Sequence, residues 1–339
     1  MAKQQELYET LRNRDPQAPH LVELPPGSPE FPQNPKNPLT KAGVQLGRWL
    51  FYDPIISGDN TMSCSSCHVQ SLGFADRKRF SPGIHGQNMG RNTMALANLA
   101  WSRNFFWDGR APSLEAQAVI PIQEPKELDQ PMTGLIEELK RHPVYPAMFG
   151  LAFGNTEITE ERIGRAIGQF VASIVSFEAP LDEIERVDVG LKREDEISPE
   201  FLEFRLTKAD KITKDTLNLC AKCHRGVDRH GNATGLYGGY RMANNGLEQG
   251  QFKAPTLRNI ALTPPYMHDG RFDTLEEVLD HYDHGVKDFG GLSPALREAN
   301  EQPKKLNLSP EAKKKILIYL NLMTDKALLQ NKNYSNPFR

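Results

Sequence analysis

Cys64-Ser-Ser-Cys-His68 and Cys220-Ala-Lys-Cys-His224 are two copies of one pattern, and their reading decides the fold. Each is the C-x-x-C-H signature of c-type haem attachment. Two thiols three positions apart on one helical turn can form thioethers to the two vinyl groups of one macrocycle, and the adjacent histidine is delivered beneath the iron. C-x-x-C pairs also build zinc sites and redox dithiols. Here a histidine follows each pair at once, and the chain's 4 cysteines are all used in the two motifs. The chain therefore reads as a di-haem protein whose irons are ligated by His68 and His224.

A chain of 339 residues has room for two domains of ordinary size, one per motif. With 41 basic and 43 acidic side chains the formal charge is −2. That balance argues against nucleic acid as a partner. No apolar run reaches the roughly 18 residues of a membrane span. Met1 to His20 is polar and charged, unlike the core of a signal peptide. Covalent haem is normally attached outside the cytoplasmic membrane, so the numbered chain reads as a mature form whose export signal has been removed, and the expected compartment is the periplasm.

Pro25, Pro26, Gly27, Pro29, Pro32, Pro35 and Pro38 break regular structure, so residues 1–38 read as an extended arm. Thr40 can cap a helix that puts Val44, Gly47, Leu50 and Phe51 on one face and ends before Asp53-Pro54. A second helix, from Thr159 to Phe177, repeats Ile163, Ile167, Phe170 and Ile174 at helical spacing and closes an N-terminal domain over 39–180. Residues 181–339 repeat the plan. A helix leads into Cys220, a Gly-rich loop runs from Gly231 to Gly250, and a helix spans Thr274 to about His284. The closing helix has Ser309 as N-cap and Pro310 at its first position, with Ile316, Leu320 and Met323 on one face. Lys313, Lys314 and Lys315 read as a solvated face, and His20, His142 and His230 as surface histidines. No strands are expected, and the fold class is all-α.

Six stretches together resemble the bacterial di-haem cytochrome c peroxidase and MauG superfamily, in family order. They are the two haem motifs, Phe106-Trp-Asp-Gly-Arg110, Pro121-Ile-Gln-Glu-Pro-Lys-Glu127, Ala254-Pro-Thr-Leu-Arg-Asn259 and Pro265-Tyr-Met-His-Asp-Gly270. The resemblance implies two cytochrome c-like domains, a peroxidatic haem on His68 and an electron-transfer haem on His224. It implies Glu127 as distal acid-base with Gln117 beside it, a residue that by itself would be read as a solvated acid near a helix start. His85 resembles a loop histidine that ligates the first iron at rest in many family members. At the second iron the family supplies a sixth ligand eight residues after the Thr274 position, methionine in typical peroxidases and tyrosine in MauG-like members. Here that residue is Tyr282, with Met267, His281 and His284 as competitors. Trp107 resembles the tryptophan between the two haems. Asn92, with the carbonyls of Thr263 and Pro265, resembles a calcium site, oxygen donors of the kind this cation prefers.

Three functions follow from these readings. The first is a periplasmic peroxidase reducing hydrogen peroxide to water through high-valent iron, fed by a small cytochrome c or cupredoxin. The second is a MauG-like enzyme that oxidises Trp or Tyr side chains of a partner protein; Asn218, where MauG has a relay tryptophan two residues before the second motif, speaks against the same exit route. The third is a non-enzymatic di-haem electron carrier. A homodimer is compatible with all three.

Overall fold

The computed structural model describes residues 2–13, 15–188, 190–198, 211–221, 223–224, 252–288 and 292–339. Its helices, in chain order, are α1 (Ala2–Arg12), α2 (Lys41–Tyr52), α3 (Leu114–Ala118), α4 (Ile120–Gln123), α5 (Met132–Arg141), α6 (Tyr145–Phe153), α7 (Glu160–Ser173), α8 (Pro180–Asp188), α9 (Lys211–Ala221), α10 (Leu275–Asp280), α11 (Pro310–Asn321) and α12 (Lys326–Gln330). Among the described residues the only β pairings are isolated bridges. The fold is all-α, as the sequence implies. The expected loop from Gly231 to Gly250 lies outside the described residues.

The two helices expected to frame the first unit do so. Thr40 accepts the Gly43 N–H (3.0 Å) to start α2, and Thr159 accepts the Arg162 N–H (3.2 Å) to start α7. The helices cross at Gly47, where a Cβ would run into the carbonyl of Ala166. Only glycine lets the backbones approach this closely, which buries Leu46, Leu50 and Phe51 of α2 against Ile163, Ile167 and Phe170 of α7. Gln169 ties the crossing to the preceding chain by accepting the Thr40 N–H (3.0 Å) and donating to Asn37 Oδ1 (2.9 Å). Because the obstacle is backbone and not a flexible side chain, Gly47→Ala is expected to destabilise the protein by about 3 kcal/mol. Denaturant unfolding followed by circular dichroism measures this; a loss below about 1 kcal/mol would refute the close-crossing account.

Three expectations are corrected. The N-terminal arm is not extended throughout, because Ala2–Arg12 is helical before the proline-rich stretch begins. The second framing helix stops at Ser173, four residues early. There the Asn98 side chain takes over the backbone, accepting the Ser176 N–H (2.8 Å) and donating to its carbonyl (3.0 Å), while the Asn98 N–H donates to the Ile174 carbonyl (3.0 Å). Lys313 is not simply solvated, for its ammonium bridges Asp280 (2.6 Å) and Asp283 (2.9 Å).

A second apolar cluster joins Leu275 and Leu279 of α10 to Ala312, Ile316 and Leu320 of α11, with Leu217 of α9 partly buried against them. Leu181 and Ile184 of α8 pack on Tyr319, Leu322 and Met323. After Ile174 the chain leaves the first cluster, and Leu181 and Ile184 are the next residues to join one. The segment after α11 then returns to the first unit. Leu328 and Tyr334 are buried in its core, Arg48 donates to the carbonyls of Lys332 and Ser335 (both 2.7 Å), and Gln70 donates to those of Leu328 (3.0 Å) and Asn331 (2.8 Å).

Candidate functional site

The first motif forms a single 3₁₀ turn, Cys64–Ser66, held by reciprocal hydrogen bonds between Ser63 and Ser66. Cys64 then accepts the His68 N–H (2.9 Å), and left-handed Gly73 (φ 70°) and Phe74 (φ 60°) fold the chain back under the ring. The result is a hydrogen bond of 3.0 Å between His68 Nδ1 and the Phe74 carbonyl. A carbonyl only accepts, so Nδ1 carries the proton and the Nε2 lone pair is left for a metal.

The second motif repeats the device. Cys220 accepts the His224 N–H (2.8 Å), and His224 Nδ1 donates to the Pro255 carbonyl (2.9 Å). These two carbonyl acceptors are functional groups that sequence reading missed. Pro255 lies in a stretch already singled out, but nothing in a side chain marks a backbone oxygen as an orienting partner. With thiol pairs and Nε2-presenting histidines at both motifs, the residues fit a covalently held haem at each.

Above the first motif, the chain after α4 folds tightly. The Leu128 N–H donates to Pro121 (3.3 Å), Gln130 to Ile122 (2.8 Å) and Glu127 to Glu124 (2.8 Å). Burial pushes the Glu127 carboxyl up to about 7, helped by the neighbouring charge of Glu124 and opposed by Arg110. Burial is what chiefly raises Cys64 and Cys67, and the Glu127 charge adds to it at both, so this acid lies within electrostatic reach of the first attachment pair. Gln117 is half-buried on α3, which Ser113 caps and which leads directly into the Glu127 fold.

His85 sits on a loop next to Glu127. Its loop packs on the Glu127 backbone, with the Ile84 N–H donating to the Glu127 carbonyl (2.9 Å). The His85 side chain, 56% exposed, instead lies 2.8 Å from Asp129 Oδ2.

The second motif opens on a cavity of about 1700 Å³ lined by Cys220, Cys223, His224, Tyr282, Trp107 and Lys253. The helix expected through His284 is α-helical only over Leu275–Asp280, started by a Thr274/Glu277 capping box, and widens into a π turn over His281–Gly285. Such turns cluster at functional sites. Buried Asp283 fixes this one by accepting the Leu308 N–H (2.9 Å) and binding Lys313. Tyr282 is pushed up to about 12, first by burial and then by the adjacent Cys220 and Cys223. Of the competing ligands, His284 is exposed and faces Asp283, and the His281 ring packs at 5.2 Å from Phe272. Met267 borders the same cavity.

Trp107 stands at the seam between the units. Its indole N–H donates to the Asn92 carbonyl (2.8 Å), and the Asn92 N–H donates to the carbonyl of His268 (2.9 Å) across the seam. Asp108, next in sequence, binds Arg91 (2.8 Å) on one side and Arg110 (2.9 Å) on the other. Asn92 also donates its side-chain amide to Lys78 (2.9 Å), which leaves Oδ1 as an oxygen donor; Thr263 and Pro265 border the same cavity as Asn92.

Comparison with known proteins identifies relatives of this chain. The profile of the family described as di-haem cytochrome c peroxidase matches residues 41–189. A MauG methylamine utilization protein of Methylorubrum extorquens is 37% identical over 282 residues, covering 78% of this chain and 75% of the relative. A cytochrome c551 peroxidase of Nitrosomonas europaea is 32% identical over 250 residues, covering 70% and 71%. A solved MauG-like protein associated with microbial copper homeostasis superposes with a TM-score of 0.74 at 29% identity, covering 94% of this chain and 100% of that one.

Proposed function

Because this chain belongs to the di-haem cytochrome c peroxidase and MauG family of oxidoreductases, we propose that it reduces hydrogen peroxide to water with electrons from a small cytochrome c or cupredoxin. Family membership sets aside the electron-carrier reading. The observation that carries the proposal is the half-buried carboxyl of Glu127, within electrostatic reach of the first attachment pair and shifted up to about 7. A haem held by Cys64, Cys67 and His68 would supply the iron at which peroxide binds and gives up its oxidising equivalents.

The chain's own part is to move protons and admit electrons. Peroxide, two electrons and two protons make two waters, so one proton must leave the bound oxygen and reach the departing one. Glu127 is suited to take and return it, since a group near 7 exchanges a proton in both directions at neutral pH. Gln117 hydrogen-bonds peroxide alongside it. Trp107 would divide the electron path from the His224 side into two shorter steps, and Tyr282 with His224 would hold the iron of the second haem. Asn92 Oδ1 with the carbonyls of Thr263 and Pro265 would hold calcium near the seam, donors that suit this ion. Chelation should therefore slow peroxide consumption, and readdition of calcium should restore it. The periplasm is the proposed compartment; among the described residues no helix is long and apolar enough to cross a membrane.

A second reading has one observation in its favour. Tyr282 stands where an anionic ligand would favour oxidised iron, which suits oxidation of Trp or Tyr side chains in a partner protein. Against it, the residue two before the second motif is Asn218, exposed on α9 and without a redox-active ring. Steady-state peroxide consumption with a reduced small cytochrome c separates the two. Sustained turnover supports the peroxidase. Turnover only when a protein substrate is supplied would overturn it.

A further inference from the structure

Lys253 is 5% exposed, yet it lines the second cavity and has no carboxylate within ion-pair distance among the described residues. The other cations on that wall are provided for. Arg258 binds Asp182 (2.5 Å), Arg271 binds Asp269 (2.8 Å), and Lys287 is exposed. Among the described residues the Lys253 ammonium meets only the Asn104 carbonyl (3.1 Å) and the ring of Phe105, 5.1 Å away. Burial with no countercharge pulls it down to about 8. A buried, unpaired ammonium is costly, and buried charges are normally paired. This one is also rigidly placed, because its backbone N–H donates to the Trp107 carbonyl (2.7 Å) and its side chain grips the same loop.

Resting on the di-haem reading above, we propose that Lys253 pairs with a propionate carboxylate of the haem held by the second motif. The residue thereby fixes the edge of that macrocycle against the Trp107 loop. It is a positioning residue, and its charge also sets the electron balance of the second haem.

The test is made on holoprotein matured in a host that attaches haem, comparing wild type with Lys253→Met and Lys253→Arg. Haem content is read from the pyridine haemochrome and potentials by spectroelectrochemistry at neutral pH. Removing a nearby positive charge should move the Fe(III)/Fe(II) balance of the second haem roughly tenfold toward the oxidised form, a fall of about 59 mV for one electron. The first haem should be unchanged, and Lys253→Arg should restore most of the shift. Lys253→Gln, which keeps a hydrogen-bond donor but no charge, decides the matter if the methionine variant does not fold. A charge-neutral variant with two haems and wild-type potentials would overturn the inference. Wild type with fewer than two haems would instead overturn the di-haem reading beneath it.

Discussion

Replacing Glu127 with glutamine is expected to slow peroxide reduction by about 10²–10⁴-fold, the usual worth of a positioned acid-base group. Glutamine keeps the size and hydrogen-bonding shape of the carboxyl and removes only its ability to exchange a proton. The pH dependence gives the sharper signature. The proton must first be taken from peroxide, so the working form of the free enzyme is the carboxylate. With its pKa raised to about 7 by burial, Glu127 is protonated below that pH and ionised above it. Wild-type activity should therefore rise through about pH 7, and the Gln variant should lose that inflection along with the rate. His85→Ala makes the control. A side chain already 2.8 Å from Asp129 and mostly in solvent is not needed over the iron, and its removal should leave the rate within about twofold. Stopped-flow mixing of peroxide with each variant checks all three. A Gln variant as fast as wild type would remove Glu127 from the reaction.

Tyr282→Met should raise the potential of the second haem by on the order of 100 mV or more, since axial ligands set haem potentials over a range of about 0.8 V. A phenolate is an anion and favours the oxidised metal, whereas a neutral thioether favours the reduced one. The protein environment alone keeps Tyr282 protonated, its phenol lying near 12, so only an iron facing it would draw off the proton. The ferric EPR and optical spectra should change together with the potential. Unchanged spectra would mean that Tyr282 is a core residue and that Met267 or His281 must be reconsidered.

The frame of the first unit was legible because its signals are local. Thr40 and Thr159 are side-chain caps, and Gly47 falls on the apolar face of its helix, where a missing Cβ can only mean close approach. What was illegible depends on distant backbone. Periodicity carries the second framing helix through Phe177, but Asn98, far away in the chain, claims the backbone of residues 174–176. The breaker-rich stretch near Pro25 was read back onto a helix-forming start, Ala2–Arg12. At the site, the attachment motifs are legible from the C-x-x-C-H pattern itself, and Glu127 and Tyr282 are proposed through resemblance to a family. The π turn that presents Tyr282 was not legible, because Lys313 and Leu308, which hold Asp283, are brought in only by the fold.

The return of residues 326–338 to the first unit sets an order of assembly. On a ribosome the amino-terminal half emerges first and would ordinarily fold first. Here Arg48, beside the crossing at Gly47, and Gln70, two residues past His68, receive their acceptors from the far end of the chain. The earliest-made attachment site is thus among the last to be finished. The first attachment site is sealed only once the far end of the chain has packed back, and a truncated product would expose its defect in the half that is otherwise intact.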